Sequence, residues 1–251
     1  MTIRTVLGNL LRGCGYHLVR VEALPTVNFS WRLGQLLTSQ QIDTVLDVGA
    51  NRGQYRDFLR DQVGYTGRIV SFEPVDHLHR ALTARAHHDP QWHIQPIALG
   101  ARNEARQINV MRSDDWSSFL EPRVEAGDRF EPLNRVASTQ AVEVRRLDDV
   151  FPDLERTLGI RRAYLKLDTQ GSDLAVMEGA ATVLPRFVAL QTEAAVIPYY
   201  AGMPTYREVI DHAQQAGFAI NAMFPVSNDA RLRLIEFDCL MVNPGLVRPI
   251  A

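Results

Sequence analysis

Lysine is nearly missing from this chain. Of its 27 basic residues only Lys166 is a lysine and the rest are arginine, a bias that reports a GC-rich genome before it reports any function. Basic residues are not in excess either. The net charge is −2, so the positive footprint that nucleic-acid binding needs is lacking and no nucleic-acid partner is expected. Cysteine is scarce: Cys14 and Cys239 have no metal-ligand spacing and are too few for a disulfide framework, which points to a reduced, cytoplasmic compartment. Long apolar runs are missing too. Near the N-terminus Leu10-Leu11 meets Arg12 at once, so neither a signal peptide nor stable membrane insertion is expected.

What is present suits one α/β domain with additions: 251 residues, 46% of them hydrophobic, enough to bury a sizeable core. Residues 1–40 read as an N-terminal helical extension, an amphipathic stretch broken near Gly13 and Gly15 and then a helix at 29–40. Its Arg4, Arg12 and Arg20 are too few to hold a membrane surface. Residues 41–251 read as the ligand-binding domain. Strands at 44–48, 68–72 and 92–96 alternate with helices at about 54–62 and 76–88. Strands at 106–111 and 140–147 flank an irregular stretch, 112–138, whose Trp116, Phe119 and Phe130 suit a lid or substrate wall. A helix at 149–158, a strand ending at Asp168, a helix from Asp173 that Ser172 is placed to cap, and a strand at 187–192 ending in Glu193 follow. A loop with Tyr199 and Tyr200, a helix at 205–216 and an antiparallel strand pair at 218–224 and 235–242 close the chain. Such alternation builds a doubly wound, mostly parallel sheet.

The organising stretch is Thr44 to Gly53, T-V-L-D-V-G-A-N-R-G. An apolar run that stops at glycine is a buried strand entering a tight turn, and Gly49 and Gly53 bracket that turn. The spacing differs from the G-x-G-x-x-G dinucleotide fingerprint. Asp47 would repel a pyrophosphate but attract the ammonium of a zwitterionic amino-acid group. Glu73 stands at the tip of the next strand, where an acid accepts from both hydroxyls of a ribose. Ala98, after the third strand, sits where backbone meets an adenine ring. Together these acids at adjacent strand tips point to an adenosyl cofactor.

Asp168 and Glu193 end later strands of the same sheet and should share that rim. They are candidates for catalysis on an acceptor hydroxyl. Either they hold a Mg²⁺ between them or one is a general base with its pKa raised by burial or by its neighbour. Lys166 shares a strand face with Asp168 and reads as a salt-bridge partner. His87, His88 and His93 read as solvated rather than metal-ligating.

These pieces resemble the FkbM family of S-adenosylmethionine-dependent methyltransferases, from about Val45 to Asn243. Val45-Leu-Asp-Val-Gly-Ala-Asn-Arg-Gly-Gln54 is similar to its first cofactor motif, and Phe72-Glu-Pro74 to its ribose-binding acid. Leu165-Lys-Leu-Asp-Thr-Gln-Gly171 with Met177-Glu-Gly-Ala180 resembles its most distinctive segment. Tyr200-Ala-Gly-Met-Pro204 and Phe237-Asp-Cys-Leu-Met-Val-Asn243 resemble later ones. The resemblance implies a Rossmann-like class I methyltransferase sheet and S-adenosyl-L-methionine held by Asp47, Gly49, Asn51, Gly53, Glu73 and Ala98. It implies methylation of an oxygen, often a sugar hydroxyl, on a small-molecule or oligosaccharide acceptor in an actinobacteria-like host. A homodimer is left open. A module that binds the cofactor without transferring its methyl would keep Asp47 and Glu73 yet need neither Asp168 nor Glu193; a non-sugar acceptor is the other alternative.

Overall fold

The computed structural model describes residues 20–123 and 135–249; the expected first amphipathic stretch, Cys14 and Phe130 lie outside them. The strands in chain order are β1 (Thr44–Val48), β2 (Arg68–Phe72), β3 (Trp92–Gln95), β4 (Ala98–Leu99), β5 (Glu104–Met111), β6 (Val136–Arg145), β7 (Ala163–Leu167), β8 (Ala189–Ala195), β9 (Ala219–Asn228) and β10 (Leu234–Val242). Seven of them form one sheet in the order β3-β2-β1-β7-β8-β10-β9. β1 runs parallel to β2 and β7, and β8 parallel to β7. β10 turns antiparallel to β8 and β9. This is the doubly wound, mostly parallel sheet with an antiparallel C-terminal pair that the alternation predicts.

The helices are α1 (Leu24–Ser39), α2 (Gln54–Phe58, continued by a wider π turn, Leu59–Val63), α3 (Asp76–Ala86), α4 (Leu147–Leu158), α5 (Asp173–Glu178) and α6 (Tyr206–Gln215). They cover both faces of the sheet, which is why β1 is buried at every residue. Strand alternation assigns the two cores. Val45, Ile69 and Tyr164 meet Leu33, Leu36, Leu59 and Leu82 of α1 to α3 on one face. Leu46, Val70 and Leu165 meet Phe151, Val176, Val209 and Ile210 of α4 to α6 on the other. Among the described residues no helix is long and apolar enough to cross a membrane.

Several boundaries differ from the sequence pattern. α1 begins at Leu24 rather than 29, because Pro25 in its first turn is pre-set for a helix start. Leu147 opens α4 instead of ending a strand; it is fully buried and, four residues from Phe151, shares its inward face. Ser172 occupies the N-cap position of α5 but makes no side-chain cap bond. β5 and β6 do not join the main sheet. They form a separate three-stranded sheet with β4, in the order β4-β6-β5. β8 runs on through Glu193 because β10 pairs with it, Asp238 opposite Glu193.

One contact joins the two motif-bearing turns. Asp168 N donates to Val48 O at 3.1 Å. A Cβ on Gly49 would stand 1.9 Å from the Asp168 carbonyl oxygen, and Gly49 has φ +80°. A side chain there is excluded twice, by conformation and by space. Gly49→Ala is therefore expected to cost more than about 2 kcal/mol of unfolding free energy. Denaturant titration reads it, and a loss below about 1 kcal/mol would contradict this packing.

Candidate functional site

A cavity of ≈ 1020 Å³ opens where the carboxyl ends of β1, β2, β7 and β8 meet, the crevice in which doubly wound sheets bind ligands. Its first wall is the turn after β1. Gly49, Asn51 and Gly53 all have positive φ, at 80°, 49° and 85°. Asn51 is the non-glycine residue type that tolerates this conformation well. The turn is anchored on β2, since Gly49 N and Ala50 N both donate to Phe72 O. Glu73 completes it: Asn51 N donates to its Oε2 at 2.8 Å and Val75 N to its Oε1 at 2.9 Å.

Burial pushes the Glu73 carboxyl up to about 7, against the two backbone N–H groups that favour its ionised form. Asn51 Oδ1 is a buried acceptor with no partner. A buried acceptor left open beside a carboxylate, in a glycine-rich turn at the cavity edge, suits a ligand that brings hydroxyl or ammonium donors. The residues thus fit an adenosyl amino-acid cofactor. Ala98, Leu99, Leu78, Ile108 and Phe119 line an apolar stretch of the cavity next to Glu73, suited to a flat ring.

Asp47 is placed otherwise than the sequence pattern suggests. It is fully buried and is not part of the cavity wall. Its register partner across the β1–β7 ladder is Lys166, and the ammonium takes the carboxylate at 3.0 Å while Ser71 Oγ donates to it at 3.0 Å. The charge is paired inside the sheet, away from the cavity wall. Burial alone would lower the Lys166 pKa, but Asp47 and Asp168 outweigh it and hold the ammonium above its ordinary value. The salt-bridge reading of Lys166 is what the geometry shows.

The far end of the cavity is acidic. Asp168 follows β7 and Glu193 lies within β8, and both line the cavity with Gln170, Gln191 and Asp238. The carboxamide of Gln170 spans the two acids: Nε2 donates to Asp168 Oδ1 at 3.2 Å and to Glu193 Oε2 at 3.3 Å. Its backbone carbonyl is held too, by Ser118 Oγ at 2.7 Å, and Tyr200 OH lies 3.2 Å from its Oε1. Gln170 pays for this role with a φ of +50°. Beneath it Asp173 ties both strand ends together, accepting from Thr169 N and Oγ1 on one oxygen and from Thr192 Oγ1 and Glu193 N on the other.

Burial raises the Glu193 carboxyl well above its usual range, and Asp168, Glu236, Asp238 and Asp173 add to it. Burial likewise pushes Asp238 up to about 6, with Gln191 opposing. As a cation site the pair fits poorly. An amide already donates to both carboxylates, and among the described residues no group of three or more His, Cys, Asp or Glu is arranged to hold a metal.

The described part of the long connection straps these ends together. Arg52 donates to Asp114 at 2.8 Å, His77 Nε2 lies 3.2 Å from the same carboxylate, and Gln54 donates to Asp115 at 2.8 Å. Trp116 O accepts from Tyr200 OH at 2.7 Å. Gln170, Asp173, Gln191 and Asp238 escaped the sequence reading although three of them were readable. Gln170 and Asp173 fall in or beside the most distinctive segment, and Gln191 shares a strand face with Glu193. Asp238 shows its position only once β10 is known to pair with β8.

Glu73 makes stability depend on pH. Its carboxyl moves from an ordinary 4.5 to about 7 on folding, so the folded chain holds that proton more tightly. The stabilisation is complete below the lower value and is lost as pH rises through the upper one. The unfolding free energy of the native chain relative to Glu73→Gln is expected to fall by roughly 3 kcal/mol between about pH 4 and pH 8. Denaturant titrations across that range check it; parallel curves for the two proteins would refute the burial argument.

No curated protein matches the sequence significantly. Among solved structures, methyltransferase FkbM from Methylobacillus flagellatus KT aligns at 14% identity and a TM-score of 0.46, covering 80% of this chain and 43% of that one. The chain therefore spans less than half the length of that protein. Magnesium protoporphyrin IX methyltransferase (ChlM) from Synechocystis PCC 6803, with bound SAM, aligns at 8% identity and a TM-score of 0.47 over 97% and 98% of the two chains. Aeropyrum pernix fibrillarin, with natively bound S-adenosyl-L-methionine, aligns at 14% identity and 0.43 over 84% and 74%. At these scores the likenesses carry no argument about substrate. The profile of the methyltransferase FkbM domain matches residues 47–220; the span takes in the turn after β1, Glu73, Asp168 and Glu193, and the chain belongs to that family.

Proposed function

We propose that this chain transfers the methyl group of S-adenosyl-L-methionine to a hydroxyl oxygen of a small-molecule or oligosaccharide acceptor, a sugar of a glycan, glycolipid or glycosylated metabolite. One observation carries the reading. A single cavity joins a donor-seeking cradle at Asn51 and Glu73 to an acid pair at Asp168 and Glu193, in a chain whose family is a methyltransferase family. The cofactor, when bound, supplies an electrophilic methyl on a sulfonium. The residues have the remaining work. Glu73 accepts from the ribose hydroxyls, Asn51 Oδ1 accepts from a cofactor donor, and the Ala98 stretch covers the ring.

A sugar hydroxyl is a weak nucleophile and needs its proton removed. Asp168, 3.4 Å from Lys166 Nζ and the more open acid of the pair, is the base in this reading. Glu193 keeps its proton through burial and donates to a neighbouring acceptor oxygen. Gln170 holds the two in register. The amide between them favours a base over a Mg²⁺-bridged pair, and the acidic end disfavours a nucleic-acid backbone. The few cysteines, with Cys239 buried and free, support a cytoplasmic reaction.

The test is methyl transfer, read by mass, from labelled S-adenosylmethionine to a panel of mannose, rhamnose and fucose glycosides. Asp168→Asn and Glu193→Ala should each lower turnover on the order of 10²-fold or more while cofactor affinity survives. Glu73→Ala should instead weaken cofactor binding by roughly 1.5–3 kcal/mol. A chelator should leave turnover unchanged. Near-normal turnover in both acid variants would move the chemistry elsewhere, and chelator-sensitive turnover restored by Mg²⁺ would replace the base with a metal. Cofactor binding without transfer to any acceptor would favour a binding module.

A further inference from the structure

The cavity has a third wall that neither the cradle nor the acid pair uses. Tyr55, Phe58, Phe29 and Phe224 follow one another at ring-centroid separations of 5.9, 5.3 and 4.9 Å, and all four line the cavity. Tyr55 begins the file at the acidic end. Its hydroxyl donates to Gln191 Oε1 at 2.7 Å, and Lys166 Nζ lies 5.0 Å from its ring centre. Phe224 ends the file on β9, the edge strand. There Met223 and Val226 also line the cavity while staying 48% and 49% exposed.

Exposed apolar side chains need an explanation when they are contiguous. Strand addition by a second copy is poorly served here. Pro225 offers no N–H at the edge, and the β9–β10 ladder slips register at three places, irregularities of the kind that twist an edge away from partners. Continuity favours a ligand instead, because the rim is the outer end of a wall that begins beside Asp168 and Glu193.

We propose that the acceptor is amphiphilic: its hydroxyl-bearing sugar sits at Asp168 and Glu193, and an alkyl or aryl substituent runs along the Tyr55–Phe58–Phe29–Phe224 wall and leaves over Met223 and Val226. This rests on the sugar-acceptor reading above and adds the chemistry of what the sugar is attached to. The polar end supplies orientation, and the apolar wall supplies area to bury.

The experiment titrates the chain, loaded with the unreactive product S-adenosylhomocysteine, with three probes in a calorimeter. They are n-octyl β-D-glucopyranoside below its micelle threshold, methyl β-D-glucopyranoside, and 1-octanol. The octyl glucoside should bind at least about tenfold more tightly than the methyl glucoside. In the Met223→Ser/Val226→Ser double variant, whose changes are at exposed positions, that ratio should shrink to about threefold or less. Equal affinities for the two glucosides, or an undiminished ratio in the double variant, overturn the proposal. So does a concentration-dependent dimer that the same substitutions abolish, since the rim would then belong to a second copy. 1-Octanol separates this proposal from the reading it rests on. Octanol binding that the double variant weakens, with neither glucoside bound, supports the apolar wall and removes the sugar. Binding of none of the three overturns the wall, while the transfer assay alone decides the sugar.

Discussion

Everything at the carboxyl edge of this sheet depends on how closely the turn after β1 approaches the turn after β7. The Gly49 backbone faces the Asp168 carbonyl with no room for a methyl group between them. Two residues further in, Asp47 and Lys166 lock the same two strands through a buried ion pair at 3.0 Å. Removing either partner of such a pair strands a charge in a fully packed interior, at a cost on the order of 3–5 kcal/mol. The pair is therefore a fixed hinge pin between the two strands. The cradle residues Asn51 and Glu73 on one side and the acids Asp168 and Glu193 on the other take their separation from it.

The cavity beyond this junction is built against stability. Glu73, Glu193 and Asp238, which line it, all have carboxyls raised by burial, and Asn51 Oδ1 is buried without a partner. Perturbed carboxyls gathered in one cleft are the arrangement expected of a site rather than of a core. The protein limits the cost with neutral amides. Gln170 lies between Asp168 and Glu193, and Gln191 lies between Asp238 and the hydroxyls of Tyr55 and Tyr164. An amide satisfies two acids at once without adding a charge that a substrate hydroxyl would have to displace.

The sheet was legible because its strands are short apolar runs punctuated by glycine or by an acid, and those runs are local. The turn at Gly49, Asn51 and Gly53 and the acid at Glu73 could be read for the same reason. The sequence pattern turns Asp47 toward a ligand because nothing local says that Lys166, well over a hundred residues later, is its register partner. The same non-locality hid the sheet formed by β4, β5 and β6, and the extension of β8 through Glu193, which is paired only because β10 returns beside it. Ser172 stands at the helix start but makes no side-chain cap bond, while the Asp173 carboxylate accepts from Thr169 N upstream of the helix. Phe29 and Phe224 carried no sequence signal as a pair, since they meet only when α1 packs against the far edge of the sheet.

The central claim is that Asn51 and Glu73 seat the cofactor, and proton linkage tests it directly. Before binding, Glu73 holds its proton up to about pH 7; two ribose hydroxyls donating to its oxygens would favour the ionised form. Calorimetry of S-adenosylmethionine binding at about pH 6, in buffers of different ionisation enthalpy, should show release of close to one proton per chain, absent in Glu73→Gln. Binding with no linked proton in the native chain, or the same release from Glu73→Gln, would contradict the seat.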